Sequence, residues 1–295
     1  MSFKQDDQSD FIIIASDKIA SYNFAVVIDD AFMEISHVMR GDDHLSNTPR
    51  QILLQVALGL PTPLYAHLPL VLAPDKTPLS KRHSHLSVSA LREEGYLPLA
   101  LLNSVARLGW APGNDLMTLS ELTEAFDTKR LSKSASLFST NGLRNFARAS
   151  IANTPSSELL LLIKNKFADI DEELLTTAID ILKHEAETTA ELARLINDIL
   201  SPSEPTEEAK EVLISKDSST VIHGLIKELL DFTDIDKASW NKIVSELKDA
   251  TGLRGKTLFM PIRAALTGTT KGIELDKILS LIGVEEAQQR LKKYT

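Results

Sequence analysis

The apolar pattern of this chain changes period once, near His85, and that change limits the fold more than any single motif. Ahead of it, apolar residues come in short β-branched runs closed by turns; behind it, they recur at three and four residues. Residues 11–15, ahead of Ser16-Asp17-Lys18, predict a buried strand ending in a turn, and 23–28 a second strand closed by Asp29-Asp30. A third spans 35–40, before Gly41-Asp42-Asp43. From Asn47 the spacing turns helical, with Ile52, Leu53, Val56 and Ala57 as the repeat, Pro49 in the first turn, and Gly59 and Pro61 as the stop. Residues 68–73 predict another strand, and 74–78 a turn into Leu79-Ser80-Lys81-Arg82.

Beyond His85 only helices are expected. Leu97, Leu101, Leu102, Val105 and Leu108 form one helical stripe, which Gly109 to Asn114 interrupts. Thr118 with Glu121 three positions on has the spacing of a capping box. The cluster Asn153-Thr154-Pro155-Ser156-Ser157 places a domain boundary near 150, ahead of a Leu-rich helix over 158–167. A second break, Ser201-Pro202-Ser203-Glu204-Pro205, separates a helix ending at Leu200 from one entered through Thr206-Glu207-Glu208. No internal repeat or heptad seam is present, which excludes solenoids and coiled coils. The fold class expected is α/β followed by all-α.

Composition narrows the chemistry. With no cysteine there is no disulfide framework, thiolate zinc site, iron–sulfur cluster or cysteine nucleophile. His83 and His85 stand two apart on a loop without a nearby carboxylate, the pattern of surface histidines, so no metal site and no zinc are expected. The net charge of −9 lacks the basic excess of an indiscriminate nucleic-acid binder, so any RNA contact is local. The longest apolar runs fall well short of the roughly 20 residues that span a bilayer, and the first residues lack the basic character of a signal peptide. A cytoplasmic protein without membrane partners is expected.

Two segments of the front carry more polar chemistry than packing needs. Arg40-Gly41-Asp42-Asp43-His44 lies at a strand end just before a helix, where open α/β sheets bind ligands. Its bland alternative is a solvated turn with an acidic helix cap. Leu79-Ser80-Lys81-Arg82-His83 offers two adjacent cations that could stabilise charge growing on a polyphosphate; the alternative is a solvated basic loop. In the back half, Arg254, Lys256 and Arg263 form the conspicuous basic segment, suited either to RNA phosphates and bases or to pairing with acidic neighbours. Trp240 fits a partly buried anchor at a helix start.

Taken in order, Tyr22-Asn23-Phe24-Ala25-Val26-Val27-Ile28-Asp29-Asp30, then residues 37–51 around Arg40-Gly41-Asp42-Asp43-His44, then Leu79-Ser80-Lys81-Arg82-His83 closely resemble bacterial glutamyl-tRNA synthetases. The likeness continues through Glu94-Gly95-Tyr96-Leu97-Pro98, Leu108-Gly109-Trp110 and Leu131-Ser132-Lys133-Ser134 to Met260-Pro261-Ile262-Arg263-Ala264, covering about residue 10 to 295. The resemblance implies the second half of a Rossmann-like class I catalytic domain over 1–73. A signature loop and stem-contact helical domain would follow over 74–150, and a helical anticodon-binding region over 151–295, subdivided near 201–206. The family's amino-terminal His-x-Gly-His-type signature and its acceptor-stem insertion have no counterpart here, so a truncated or split form is expected.

The same resemblance implies the site. Lys81 would be the catalytic cation that stabilises departing pyrophosphate, with Ser80, Arg82, Asp43 and His44 beside ATP. Tyr22 and Arg40 would line the glutamate pocket, and Arg254, Lys256 and Arg263 would meet tRNA. The implied substrates are ATP with Mg2+, glutamate and tRNA(Glu); the implied partners are a separate N-terminal synthetase half or a second copy. Read as packing, Tyr22 caps a core and Arg40 pairs with Asp42 or Asp43. Three departures bear on activity. Pro78 stands where the family has the first signature lysine, Ala15 replaces an arginine, and Lys18 and Ala20 replace a glycine and a proline. They leave three functions open: a synthetase part that needs a partner, a non-catalytic tRNA-binding paralogue, and a helical interaction module.

Overall fold

The computed structural model describes residues 9–79, 86–110, 113, 115–138 and 140–295. It divides into two compact units, Met1–Ser87 with Leu102–Gly142, and Val88–Leu101 with Leu143–Thr295.

The first unit opens differently from its sequence pattern. Residues 11–15 form no buried strand: Ile12 is 73% exposed, and only Ile14 bridges Ala20, antiparallel, across a turn with Lys18 at φ +68°. Among the described residues this run joins no sheet, so its β-branched side chains have no layer to pack into. The run at 23–28 is helical, within α1 (Tyr22–Phe32), because burial of Val27 and packing of α1 on the helix that begins at Thr48 override the strand preference of Val26, Val27 and Ile28.

The strand expected at 35–40 is β1 (His37–Gly41), followed by a 3-10 turn (Asp42–Asn47) and α2 (Thr48–Leu58), which ends on Gly59 in the left-handed region. The chain returns as β2 (Leu64–Leu68), paired parallel to β1 with His37 opposite Leu64 and Gly41 opposite Leu68. This is a β–α–β crossover. The strand expected at 68–73 instead begins earlier and breaks at Pro69, which has no N–H for the ladder; β3 (Val71–Leu72) resumes after it. Among the described residues, one strand does occur behind His85. It is β4 (Ser136–Leu137), parallel to β3, and too short for a period to betray it.

The inner face of α2 is the reverse of the expected stripe. Thr48, Pro49, Gln51, Leu54 and Gln55 are buried, whereas Val56 is 71% exposed. Phe32, Met33, Leu58 and Leu64 of the same unit are also exposed.

Helices α3 (Val88–Glu93) and α4 (Pro98–Gly109) follow, then α5 (Leu119–Ala125), whose start carries the full capping box between Thr118 and Glu121. Buried Asn103 holds the approach to α5, donating to the Met117 carbonyl at 2.7 Å and accepting from the Met117 N–H at 2.9 Å.

The second unit is helical: α6 (Thr140–Asn153), α7 (Ser156–Ile163), α8 (Glu172–Leu182), α9 (Thr189–Leu200), α10 (Glu207–Leu213), α11 (Lys216–Glu228), α12 (Lys237–Thr251), α13 (Lys256–Thr267) and α14 (Leu275–Lys292). One continuous core runs through it, built on fully buried Leu159, Ile179, Leu192, Ile196, Ile222, Leu225, Leu229 and Leu279. Trp240 is buried in this core rather than offered as a stacking platform. Helix starts are set by side-chain caps from Asp171, Thr188, Thr206, Ser215 and Asp236.

Candidate functional site

At the C-terminal end of β1 and the start of α2, the β–α–β unit gathers a polar cluster. Arg40, on β1, reaches toward α2 and β2. Its Nη2 donates to Thr48 Oγ1 at 2.8 Å and its Nε to His67 Nε2 at 3.4 Å, while the guanidinium carbon sits 5.2 Å from the centre of the Tyr65 ring. Thr48 Oγ1 is also 2.9 Å from His67 Nε2. Tyr65 and His67 alternate along β2, so they share one face, with near-parallel rings 6.4 Å apart. Gln55, from inside α2, donates to the Tyr65 hydroxyl at 3.0 Å, and Gln51 donates to Asn23 of α1 at 3.0 Å. These glutamines are each 1% exposed, so their amides are structural cross-links.

The electrostatics follow from that packing. Burial, then the field of Arg40, pushes His67 below the usual imidazole range, with Asp42 opposing and His44 adding to the shift. A neutral His67 is what an acceptor of the Arg40 N–H must be. Burial raises Asp30 despite the pull of Arg40, and raises Tyr65. Arg40 itself pairs with neither Asp42 nor Asp43: among the described residues no carboxylate lies within 4.0 Å of it. Packing between two aspartates is therefore not what holds it.

Beside this cluster, the Tyr22 and His44 rings lie 5.6 Å apart at 42°, and Tyr22 is an exposed residue. His44 Nδ1 is 3.1 Å from Asn47 Nδ2, and its Nε2 is 3.7 Å from Asp43. A Cβ at Gly41 would meet Asp43 Oδ1 at 2.4 Å, so a side chain there would push that carboxylate aside. The fold thus brings Tyr22, Asp43 and His44 together at one end of the β–α–β unit that also carries Arg40. Ser80, Lys81 and Arg82 lie outside the described residues. Pro78, just ahead of them, is bridged antiparallel to Leu72.

In the helical unit, Arg254 and Lys256 are exposed at the entrance to α13. Arg263 is not free in the same way. It donates to the Ile273 carbonyl, burial lowers its pKa, and Glu274 faces it. Among the described residues there is no group of three or more His, Asp or Glu side chains placed to hold a metal ion, and no helix long and apolar enough to cross a membrane.

The sequence pattern alone gave no sign of Thr48, His67 and Tyr65. The available signal was the alternation of Tyr65 and His67 on a strand adjacent to Arg40, visible only once 64–68 is read as that strand.

Residues 1–145 match the family described as tRNA synthetases class I (E and Q), catalytic domain, and residues 153–295 the family described as anticodon binding domain. A glutamate–tRNA ligase of Natranaerobius thermophilus is 38% identical over 99% of this chain and 62% of its own length. A glutamate–tRNA ligase 2 of Syntrophus aciditrophicus is 39% identical over 99% and 62%. The crystal structure of a glutamate tRNA ligase from Elizabethkingia meningosepticum, in complex with its amino acid, superposes with a TM-score of 0.82 at 26% identity, covering 98% of this chain and 62% of that one. The chain therefore spans about three fifths of the length of these relatives. The chain thus joins a class I tRNA synthetase (E and Q) catalytic-domain segment over 1–145 to an anticodon-binding domain over 153–295.

Proposed function

We propose that this chain supplies the glutamate-holding, signature-loop and tRNA-reading parts of a cytoplasmic glutamate–tRNA ligase. The observation that carries the reading is Arg40, an arginine fixed by neutral partners and without a described carboxylate beside it, next to the Tyr22–His44 pair. A planar cation in that state suits the carboxylate of an amino acid. Lys81, with Ser80 and Arg82, would stabilise charge on the pyrophosphate that leaves ATP during adenylation, and Asp43 and His44 would sit beside the nucleotide and the tRNA end. Magnesium would arrive with ATP, held by phosphate oxygens. The division of labour we propose is 1–73 for the nucleotide fold, 74–150 for the signature loop and stem contact, and 151–295 for the anticodon, with Arg254 and Lys256 on phosphates or bases.

The exposed apolar side chains Phe32, Met33, Val56 and Leu64, in the unit whose β1–β2 sheet has two strands among the described residues, suit association with further synthetase structure or a second copy. Since residues 1–295 span about three fifths of the length of the glutamate–tRNA ligases they match, these residues are expected to ligate glutamate only together with further catalytic-domain structure that orients ATP. The test is tRNA glutamylation by the chain alone and mixed with a separately expressed segment covering the rest of the catalytic domain, each with and without Lys81→Ala. Activity in the mixture that disappears with the substitution is expected; an inactive mixture, or one indifferent to Lys81→Ala, contradicts the proposal.

Pro78 favours a second reading, a tRNA-binding paralogue without catalysis, because it removes a cation and fixes φ at the loop. Salt-sensitive tRNA retention together with an inactive mixture would select it.

A further inference from the structure

An arginine that receives an anion needs a fixed plane and a charge that no neighbour has already neutralised. A carboxylate partner supplies the first at the expense of the second. Arg40 meets both conditions through neutral acceptors: the two donors along one edge of its guanidinium, Nε and Nη2, go to His67 Nε2 and Thr48 Oγ1. The 2.9 Å separation of Thr48 Oγ1 from His67 Nε2 closes the set. The hydroxyl accepts from Arg40 and donates to the imidazole, which places the His67 proton on Nδ1. Tyr65 supports the guanidinium face, and Gln55 in turn holds the Tyr65 hydroxyl. Among the described residues Nη1 has no acceptor.

Building on the glutamate reading of this pocket, we infer that Thr48 and His67 are positioning residues for Arg40. As neutral acceptors they fix its plane and leave the end-on Nη1/Nη2 pair to a substrate carboxylate. Thr48 is suited to this because it is 4% exposed on the first turn of α2, so its hydroxyl has no water to compete for it. The groups facing His67 are Arg40 from β1 and Asp42 and His44 from the 3-10 turn, and burial, then the cationic Arg40, keeps the imidazole an acceptor.

The experiment uses the intact chain labelled with 15N in arginine and histidine, as wild type, Thr48→Ser and Thr48→Val, with Arg40→Ala to assign the Arg40 Nε–H resonance. Wild type and Thr48→Ser are expected to show a resolved, slowly exchanging Arg40 Nε–H and a His67 proton on Nδ1. Thr48→Val, of the same shape without the hydroxyl, is expected to average the Arg40 signal and to weaken L-glutamate binding about tenfold, with Thr48→Ser within about twofold of wild type. His67→Asn, on a different element, provides the same comparison if Thr48→Val proves unfolded by circular dichroism. An Arg40 signal as ordered in Thr48→Val as in wild type overturns the inference, as does a freed Arg40 with undiminished glutamate affinity. If L-glutamate binds none of the proteins, wild type included, the glutamate reading fails while the Arg40 resonance still decides whether Thr48 positions it.

Discussion

Arg290 of α14 donates from Nη1 to the carbonyl oxygen of Leu266, one residue from the end of α13, at 2.9 Å. The same guanidinium collects the carbonyls of Ile199 at 2.7 Å and Leu200 at 3.3 Å at the end of α9, and pairs with Glu286 at 2.7 Å. A single 5%-exposed cation thus satisfies the orphan carbonyls of two helix ends. Arg290→Met keeps the stem and removes every donor, so it is expected to destabilise the helical unit by about 3–5 kcal/mol. Urea unfolding followed by circular dichroism measures this; a loss under about 1 kcal/mol would show that the carbonyls find other partners.

Gly95 has φ +86°, and a Cβ there would lie 2.7 Å from the Ala190 backbone nitrogen at the start of α9. The obstacle is backbone, which cannot rotate away. Gly95→Ala should therefore cost about 1–3 kcal/mol and break the 2.9 Å bond from Thr189 N–H to the Gly95 carbonyl. Thermal unfolding of the variant at the wild-type midpoint would refute this.

Stability should also depend on pH through the ion triad of Lys277 with Glu185 and Glu274, each 2.9 Å away. The hydrogen bond from Lys277 lowers Glu274, so its share is present above the ordinary carboxylate range and lost as pH falls through the lower folded value. The bond to Glu185 raises Lys277, so its share is present below about 10.5 and lost as pH rises through the higher folded value. Lys277→Met should consequently lose most between about pH 5 and 10 and converge on wild type at both extremes. A pH-independent difference would contradict the assignment.

The two basic positions at the entrance to α13 separate from Arg263. Arg254→Ala and Lys256→Ala should leave folding intact and each lower the salt slope of tRNA retention by about 1 if it meets a phosphate. Arg263→Ala should instead lower stability, since its guanidinium is committed to the Ile273 carbonyl. Filter retention across a salt series, with melting curves alongside, distinguishes the two behaviours.

How far these features were legible in the sequence depended on where side chains point. The helical half announces itself, because Leu and Ile at three- and four-residue spacing and polar caps such as Thr206 and Asp236 are local signals. The front was harder. Val26-Val27-Ile28 has strand propensity but becomes helical through its packing partner, and α2 turns Thr48, Gln51 and Gln55 inward because they serve polar partners rather than an apolar core. Arg40 and Tyr22 could be found by resemblance. The hydroxyl and imidazole that hold Arg40 lie 8 and 27 residues away, and only the parallel register of β1 and β2 brings His67 beside it.

The most direct test is the glutamate dependence of the complemented ligation reaction with Arg40→Gln, which keeps a polar amide on a shorter stem and removes the charge. The KM for L-glutamate should rise by about a hundredfold, a charge-assisted pair being worth roughly 3 kcal/mol, while the KM for ATP stays within about threefold. An unchanged KM for glutamate would show that the carboxylate is held elsewhere and that Arg40 belongs only to the packing of the β–α–β unit.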